Sequence, residues 1–184
     1  SETVWKDGPL TRAVRHGGIC YLDEIVEARQ DTTVVIHSLT DDRRILPIEK
    51  TGEIIKAHKD FFLVISYNPG YQSVLKDLKE STKQRFASIS FEYPNNQLEK
   101  DIIILESGTT KEIAEKLIKV SERTRNLKGK GLHEGASTRM LIAAAKLINS
   151  KLSFMEACLK AIVLPITDEQ DVRDSLERAI RDLG

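Results

Sequence analysis

The first half of the chain alternates short apolar runs with charged segments. Two of the runs, residues 19–22 (Ile-Cys-Tyr-Leu) and 61–65 (Phe-Phe-Leu-Val-Ile), end abruptly at polar residues. Runs of this length are typical of strands buried on both faces, as in a parallel sheet with helices on each side. A third, weaker strand is predicted at residues 88–91, where apolar and polar positions alternate, and a helix is predicted at residues 26–39.

Residues 44–56 predict a β-hairpin. β-branched positions flank the spacer at residues 49–52 (Glu-Lys-Thr-Gly), and a spacer that ends in glycine favours a tight turn. Pro47 lacks the amide hydrogen that a central strand must donate. We therefore expect the hairpin to be a surface insertion and not part of the core.

From about residue 96 onward, the apolar residues recur at helical spacing. Gly108, residues 149–150 and Pro165 mark breaks between about five short helices, which predicts a helical bundle. The first of its apolar stripes comprises Leu98, Ile102, Ile103 and Leu105. The two textures predict an α/β domain over residues 1–95, followed by an all-helical domain over residues 96–184.

The composition is that of a soluble globular protein, with 40% hydrophobic and 30% charged residues. Lys and Arg total 28, as do Asp and Glu, and a net charge of zero lacks the positive excess that nucleic-acid binding needs. No apolar stretch reaches ~18 residues and no signal peptide is evident, so we expect no membrane span. Cys20 and Cys158 lie in apolar runs without metal-ligand spacing, which fits a reducing, cytoplasmic compartment.

Two adjacent carboxylates, Asp23 and Glu24, follow the first apolar run. In open α/β sheets, ligands bind at the carboxyl ends of the strands. There Asp23 could hold a hydrated Mg²⁺, which favours one or two carboxylates plus phosphate oxygens, and Glu24 could orient or deprotonate an attacking water. The alternative is a helix N-cap, in which either carboxylate accepts from first-turn amides.

Three further polar residues are candidates for the same chemistry. Asn68 follows the second run, where it could bond a water or a phosphate oxygen, or it merely starts a Pro-Gly turn. Arg85 could stabilise charge on a phosphoryl group bound to a neighbouring subunit, or it is an ordinary surface arginine. Arg139 follows a Gly-Ala-Ser-Thr helix start and opposes the helix dipole there, so we expect an anionic partner, either Glu134 or a phosphate.

The phosphate-binding loop G-x-x-x-x-G-K-[ST] does not occur in the sequence. The nearest Gly-Lys dipeptide, residues 129–130, is followed by Gly131 and has Thr124 where the loop requires its first glycine. No G-x-G-x-x-G follows a predicted strand. The four histidines are scattered without ligand spacing, so we interpret them as structural or surface residues.

The order of these elements resembles that of an AAA+ ATPase. The strings that carry the likeness are residues 8–15 (GPLTRAVR), 20–29 (CYLDEIVEAR), 39–44 (LTDDRR) and 65–72 (ISYNPGYQ). They are similar to the MoxR class and, within it, to the CbbQ/NorQ/NirQ branch, which helps activate rubisco or nitric-oxide reductase. The resemblance runs from about residue 5 to at least residue 148.

By position, the resemblance implies a role for each candidate residue. Asp23 and Glu24 correspond to the Walker B pair, for Mg²⁺ and for the hydrolytic water respectively. Asn68 corresponds to sensor 1, and Arg85 to an arginine finger that acts on the adjacent subunit. Arg139 corresponds to sensor 2 of a helical lid.

The resemblance also implies the fold, the cofactors and the partners. We expect an α/β fold: a partial AAA+ P-loop NTPase core, with the N-terminal strand and the P-loop missing, followed by a small all-α lid domain. Such relatives use ATP and Mg²⁺, form hexameric rings and work with a partner that carries a von Willebrand factor A domain. The hairpin at residues 44–56 resembles an insert that contacts the substrate, here a client enzyme, or the central pore.

Without the phosphate-binding loop, we expect the 184-residue chain by itself to bind ATP poorly and to hydrolyse it negligibly. An alternative from another class is a non-enzymatic adaptor that lacks the P-loop and docks a partner protein. The presence of all five candidate residues favours the ATPase, because an adaptor has no physical need for them. A DNA-linked motor is disfavoured by the zero net charge.

Overall fold

Two parallel strands and a hairpin build the first part of the chain, and helices build the rest. The structure is a computed structural model that describes residues 4–27, 30–68, 80–129 and 131–183. The chain divides into two units, residues 1–89 and 90–184.

Both long apolar runs of the first unit form strands, as predicted. The elements in chain order are α1 (Pro9–His16), β1 (Gly18–Leu22), a 3₁₀ turn (Ile25–Glu27), α2 (Gln30–Thr40), β2 (Ile45–Ile48), β3 (Glu53–Lys56), β4 (Phe61–Ile65) and α3 (Glu80–Lys83). β1 and β4 are parallel and in register from Gly18 opposite Phe61 to Leu22 opposite Ile65. The predicted helix at residues 26–39 corresponds to the 3₁₀ turn and α2.

The β1–β4 pair is not buried on both faces, which corrects the prediction. Cys20 and Phe61 are buried, whereas Ile19, Tyr21 and Phe62 are 73%, 57% and 64% exposed. Ile19 lies directly opposite Phe62, so the exposed side chains share one face of the pair. None of the described residues covers that face.

The third predicted strand, at residues 88–91, does not form. This segment has no regular secondary structure and no strand partner in the part of the chain that the structure describes, and Ile89 and Phe91 are 81% and 91% exposed. Alternating side chains predict an extended backbone equally well whether or not a neighbouring strand is present to bond it.

The predicted hairpin forms, but it belongs to the core. β2 and β3 pair antiparallel, with Pro47 opposite Ile54. Leu46, Ile48 and Ile55 are buried in one apolar cluster with Val14, Cys20, Leu39 and Phe61. The expectation of a surface insertion was therefore wrong: the hairpin buries one face, and Pro47 lies on the other, in a ribbon whose two strands are both edges.

An ion pair also fastens the hairpin to α1. The guanidinium of Arg15 donates to both carboxylate oxygens of Glu53, on β3, at 2.7 and 3.0 Å. The same guanidinium donates to Asp7 at 3.0 Å. The hydrogen bonds from Arg15 to Glu53 hold the pKa of the Glu53 carboxyl below its usual value.

The second unit is helical, as predicted. Its elements are α4 (Asn96–Ser107), α5 (Lys111–Arg125), α6 (Thr138–Asn149), α7 (Phe154–Cys158), a π-helical turn (Leu159–Val163), α8 (Leu164–Ile166) and α9 (Gln170–Arg181). Side chains of Asn95, Thr110, Ser137 and Ser153 accept hydrogen bonds from first-turn amides and define four of the starts. α7, the π turn and α8 follow one another without a gap and end at Ile166, directly after Pro165.

The first apolar stripe of this unit was predicted correctly only in part, at Ile102 and Ile103. Leu98 and Leu105 are 51% and 82% exposed, whereas Ile103 and Glu99 are fully buried. α4 therefore turns Glu99 and Ile103, which are four residues apart and share a face, toward the core. The hydrophobic pattern could not indicate this orientation, because one of the inward positions is a carboxylate.

Both cysteines are free and buried, and burial raises the pKa of Cys158 to about 12. None of the helices that the structure describes is long and apolar enough to cross a membrane.

Candidate functional site

The site begins where β1 and β4 end together. Their last paired residues are Leu22 and Ile65. Beyond them the amide of Ser66 donates to the carbonyl of Leu22 at 3.0 Å, and the amide of Ile25 donates to the carbonyl of Ser66 at 3.1 Å. The two segments thus stay joined past the strands, which places Asp23 beside Ser66 at the carboxyl edge of the pair.

Two hydroxyl groups fix the carboxylate of Asp23. Tyr21 Oη donates to Asp23 Oδ1 at 2.9 Å, and Ser66 Oγ donates to the same oxygen. Asp23 is exposed at this edge. An oriented, solvent-facing carboxylate fits Mg²⁺, which keeps several waters and needs only one or two protein carboxylates plus phosphate oxygens.

Glu24 follows in a strained backbone conformation. Its φ angle is +49°, in the left-handed region, which costs on the order of 1–3 kcal/mol for a residue with a side chain. Its amide donates to Ser66 Oγ at 3.2 Å, so the hydrogen bonding around Ser66 stabilises the turn. Its side chain is exposed beside Asp23, where a general base would meet solvent water.

Asn68 lies three residues beyond β4 and is exposed. Its neighbour Tyr67 packs in an apolar cluster around buried Ile25 and Ile36, together with Leu22, Val26, Leu63, Ile65 and Phe86. We call this the edge cluster. The predicted Pro-Gly turn at residues 69–70 lies outside the described residues.

Arg85 is exposed and follows α3. Its Nη1 donates to the carbonyl of Ser81, and the next residue, Phe86, packs in the edge cluster. Thr82 Oγ1, on α3, lies 2.6 Å from Nε2 of His37, on α2. Phe86, next to Arg85, therefore packs in the same cluster as Ile25, which follows Glu24, and Tyr67, which precedes Asn68.

The charge of Arg85 also reaches Asp41. The hydrogen bond from Arg43 holds the pKa of Asp41 below its usual value, and the charges of Arg43 and Arg85 lower it further. Arg85 thus has both a hydrogen bond to its own segment and a carboxylate within electrostatic range.

Arg139 lies in the second unit, in the first turn of α6, as predicted. Ser137 caps this helix by accepting from the amide of Met140. Arg139 is exposed, and within the described part of the chain it forms no ion pair, with Glu134 or with any other carboxylate. Glu134, the structural partner considered for Arg139, therefore does not form an ion pair with it.

Sequence reasoning missed Ser66 and Tyr21, which hold Asp23. A signal for Ser66 was present: both apolar runs end at a polar residue, and equal strand ends in a parallel pair place those polar residues side by side. Within the described residues, no group of three or more His, Cys, Asp or Glu side chains gathers in metal-binding geometry.

Comparison with known families matches both units. The model of the family described as AAA domain (dynein-related subfamily) matches residues 1–86, and that of CbbQ/NirQ/NorQ C-terminal matches residues 99–183. The family models and the fold together place the chain in the AAA class: part of an α/β core followed by a helical lid.

Individual relatives narrow the class. The protein CbbQ of Hydrogenophilus thermoluteolus is 58% identical over 98% of this chain and 68% of its own length. The protein NorQ of Paracoccus denitrificans is 52% identical over 100% of this chain and 66% of its own length. The denitrification regulatory protein NirQ of Pseudomonas aeruginosa is 54% identical over 91% of this chain and 64% of its own length. The chain belongs to the CbbQ/NirQ/NorQ family and spans about two thirds of the length of these relatives.

Proposed function

We propose that this protein is a MoxR-type AAA+ ATPase that uses ATP hydrolysis to remodel or activate a client enzyme, such as nitric-oxide reductase or rubisco. The observation that carries the proposal is the pair of carboxylates at the carboxyl edge of β1 and β4. Asp23 is oriented there by two hydroxyls, and Glu24 is held in a strained turn.

Asp23 and Glu24 divide the work at this edge. Asp23 holds Mg²⁺, which supplies charge neutralisation for the phosphates when it is bound. Glu24 orients the attacking water and accepts its proton. Its exposed carboxylate, one residue from Asp23 and turned by a left-handed backbone, supports this separate role.

Asn68 and Arg85 complete the hydrolytic site in our proposal. Asn68 acts as sensor 1 and bonds the water or a phosphate oxygen. Arg85 acts as an arginine finger on the nucleotide of the adjacent subunit in a hexameric ring, where a guanidinium stabilises charge on the phosphoryl group. The exposure of Arg85 supports a role toward another subunit.

The second unit acts as the lid. Arg139 is proposed as sensor 2, an arginine that responds to the nucleotide phosphates, and its exposure without an ion pair among the described residues supports an external anion as its partner. We assign residues 1–95 to the nucleotide-binding domain and residues 96–184 to the lid. The hairpin at residues 44–56 contacts the client or the pore, a partner with a von Willebrand factor A domain assists, and the assembly is cytoplasmic.

Glu24→Gln in the complete gene product tests the proposal. The variant should bind ATP with an affinity close to that of the wild type, because the amide keeps the shape of the side chain. It should lose hydrolysis by at least about a hundredfold, because an amide cannot accept the proton. Turnover is measured by phosphate release and binding by calorimetry with ATP and Mg²⁺. Turnover at the wild-type rate would contradict the role of Glu24.

The 184-residue chain alone should bind ATP weakly and hydrolyse it negligibly, because its sequence contains no G-x-x-x-x-G-K-[ST] loop. Substantial Mg²⁺-dependent turnover by this chain would contradict that expectation.

The same absence is the one observation that favours the second candidate, a non-enzymatic adaptor that docks a partner protein. An in-frame phosphate-binding loop encoded upstream of Ser1 would exclude the adaptor.

A further inference from the structure

The second unit buries a charged side chain. Glu99, on α4, is fully buried, and its two carboxylate oxygens accept from Nη1 and Nη2 of Arg125 at 2.8 and 2.7 Å. Arg125 is the last residue of α5, and its side chain is 16% exposed. Such a two-point contact between a planar guanidinium and a carboxylate fixes the angle between them as well as the distance.

Arg125 also holds the segment that precedes α6. Its Nε and Nη2 donate to the carbonyl of Ala136 at 3.0 and 2.9 Å, and the amide of Ala136 donates to Thr124 Oγ1 at 2.9 Å. Gly135 passes so close that an added Cβ would lie 2.5–2.7 Å from atoms of Arg125. The entry to α6 is therefore fixed against the end of α5.

Glu99 reaches the first residue of α6 itself. Thr138 Oγ1 donates to Glu99 Oε1 at 2.7 Å, the same oxygen that accepts from Nη2 of Arg125. Arg139 is the next residue and is exposed. The buried carboxylate of Glu99 therefore bonds the residue that immediately precedes Arg139, the proposed sensor 2.

Tyr93 brings a third segment to the same guanidinium. Its ring centroid lies 3.7 Å from Cζ of Arg125, a distance at which an arginine stacks on an aromatic ring. Tyr93 belongs to the non-helical residues that precede α4. One guanidinium thus joins this preceding segment, α4 and the entry to α6.

Stability alone does not account for this arrangement. Replacing a buried ion pair by apolar side chains of similar volume is often neutral or even stabilising. What the charged groups add is direction, because each hydrogen bond at Glu99 and Arg125 restricts the orientation of a different segment.

We propose that Glu99, Arg125 and Thr138 are positioning residues that fix the Arg139 end of α6 to the segment at Tyr93, so that Arg139 meets the nucleotide phosphates in one orientation. This inference rests on the function proposed above for Arg139.

Thr138→Val and Thr138→Ser form the matched pair that tests it. Valine keeps the shape and removes the hydroxyl bond to Glu99, whereas serine keeps the hydroxyl. ADP affinity is measured in the complete gene product for both variants, for Arg139→Ala and for the double variant T138V/R139A. Hydrogen exchange of the amides near residue 139 is measured in the 184-residue chain as a readout independent of nucleotide.

Arg139→Ala should weaken ADP binding by about tenfold and Thr138→Val by about threefold, the scale of one charge-assisted contact and of its partial misplacement. Thr138→Ser should match the wild type, and the double variant should bind no more weakly than R139A alone, because the hydroxyl acts through Arg139. Exchange near residue 139 should be faster in T138V only.

Three other results would overturn the inference in distinguishable ways. If R139A weakens binding and folded T138V does not, positioning through Thr138 is wrong while the role of Arg139 stands. If R139A leaves binding unchanged, the role of Arg139 fails and the inference fails with it. If T138V and R139A weaken binding additively, Thr138 acts on something other than Arg139.

Tyr93→Leu and Tyr93→Phe give a second pair, which serves if T138V does not fold. Only the leucine variant, which lacks the stacked ring, should weaken ADP binding. Equal affinity of the two variants would contradict the proposal.

Discussion

The hydroxyl of Ser66 forms two hydrogen bonds. It donates to the carboxylate of Asp23 and accepts from the amide of Glu24 at 3.2 Å. Ser66, which directly follows β4, therefore orients Asp23, the proposed metal ligand, and supports the strained turn at Glu24, the proposed base. Groups that orient a metal ligand in this way are themselves important for the metal's affinity.

Ser66→Ala should raise the Mg²⁺ concentration needed for half-maximal ATP turnover by roughly tenfold, because Asp23 loses one of the two hydroxyls that fix it. Ser66→Thr, which keeps a hydroxyl, is the control and should stay near the wild type. The measurement is a Mg²⁺ titration of turnover in the complete gene product. An unchanged Mg²⁺ requirement in S66A would show that Ser66 does not serve Asp23.

The sequence predicts the position of the hairpin but not its packing. The flanking β-branched residues and Gly52 predict β2 and β3, whereas the expectation that Pro47 keeps them out of the core is wrong. The structure places Pro47 on the outer face, while Leu46 and Ile55 are buried. A residue that rules out a central strand does not rule out a buried face on a two-stranded ribbon.

Ile55→Ala should destabilise the protein by about 3 kcal/mol, because Ile55 is 5% exposed and its loss leaves a cavity in the core. The neighbouring Ile54→Ala is the matched control: Ile54 is 67% exposed, so the change should be within about 0.5 kcal/mol. Chemical denaturation of the 184-residue chain measures both. Equal effects of the two substitutions would mean that the hairpin does not pack on the core.

In the helical unit, too, the sequence predicts some features and not others. Caps and breaks such as Ser137 and Gly108 could be found in the sequence, because their chemistry is local. The orientation of α4 could not, since Glu99 is buried only because Arg125, 26 positions away, meets it. The strand predicted at residues 88–91 does not form for a related reason. Its alternating pattern is a local feature of the sequence, whereas a strand also needs a partner strand from elsewhere in the chain.

Along the whole chain, the order of the motifs carries more information than any one of them. Asp23, Glu24, Asn68, Arg85 and Arg139 each have an ordinary alternative role, and it was their sequence of appearance that resembled an AAA+ ATPase. The family match over both units agrees with that resemblance. What the sequence could not supply was the support of these residues, namely Ser66, Tyr21 and the buried Glu99, because that depends on register and packing.

We propose that Glu24 and Arg85 belong to one hydrolytic site built from two subunits. The most direct test mixes two variants of the complete gene product, Glu24→Gln and Arg85→Ala, each of which should be inactive alone. In a ring with heterologous interfaces, an E24Q subunit can lend Arg85 to a neighbour that retains Glu24, so an equal mixture should recover about a quarter of the wild-type turnover. Mixing E24Q with the double variant E24Q/R85A should recover none. No recovery in the first mixture, with mixed rings demonstrated by mass, would contradict a hydrolytic site shared between subunits.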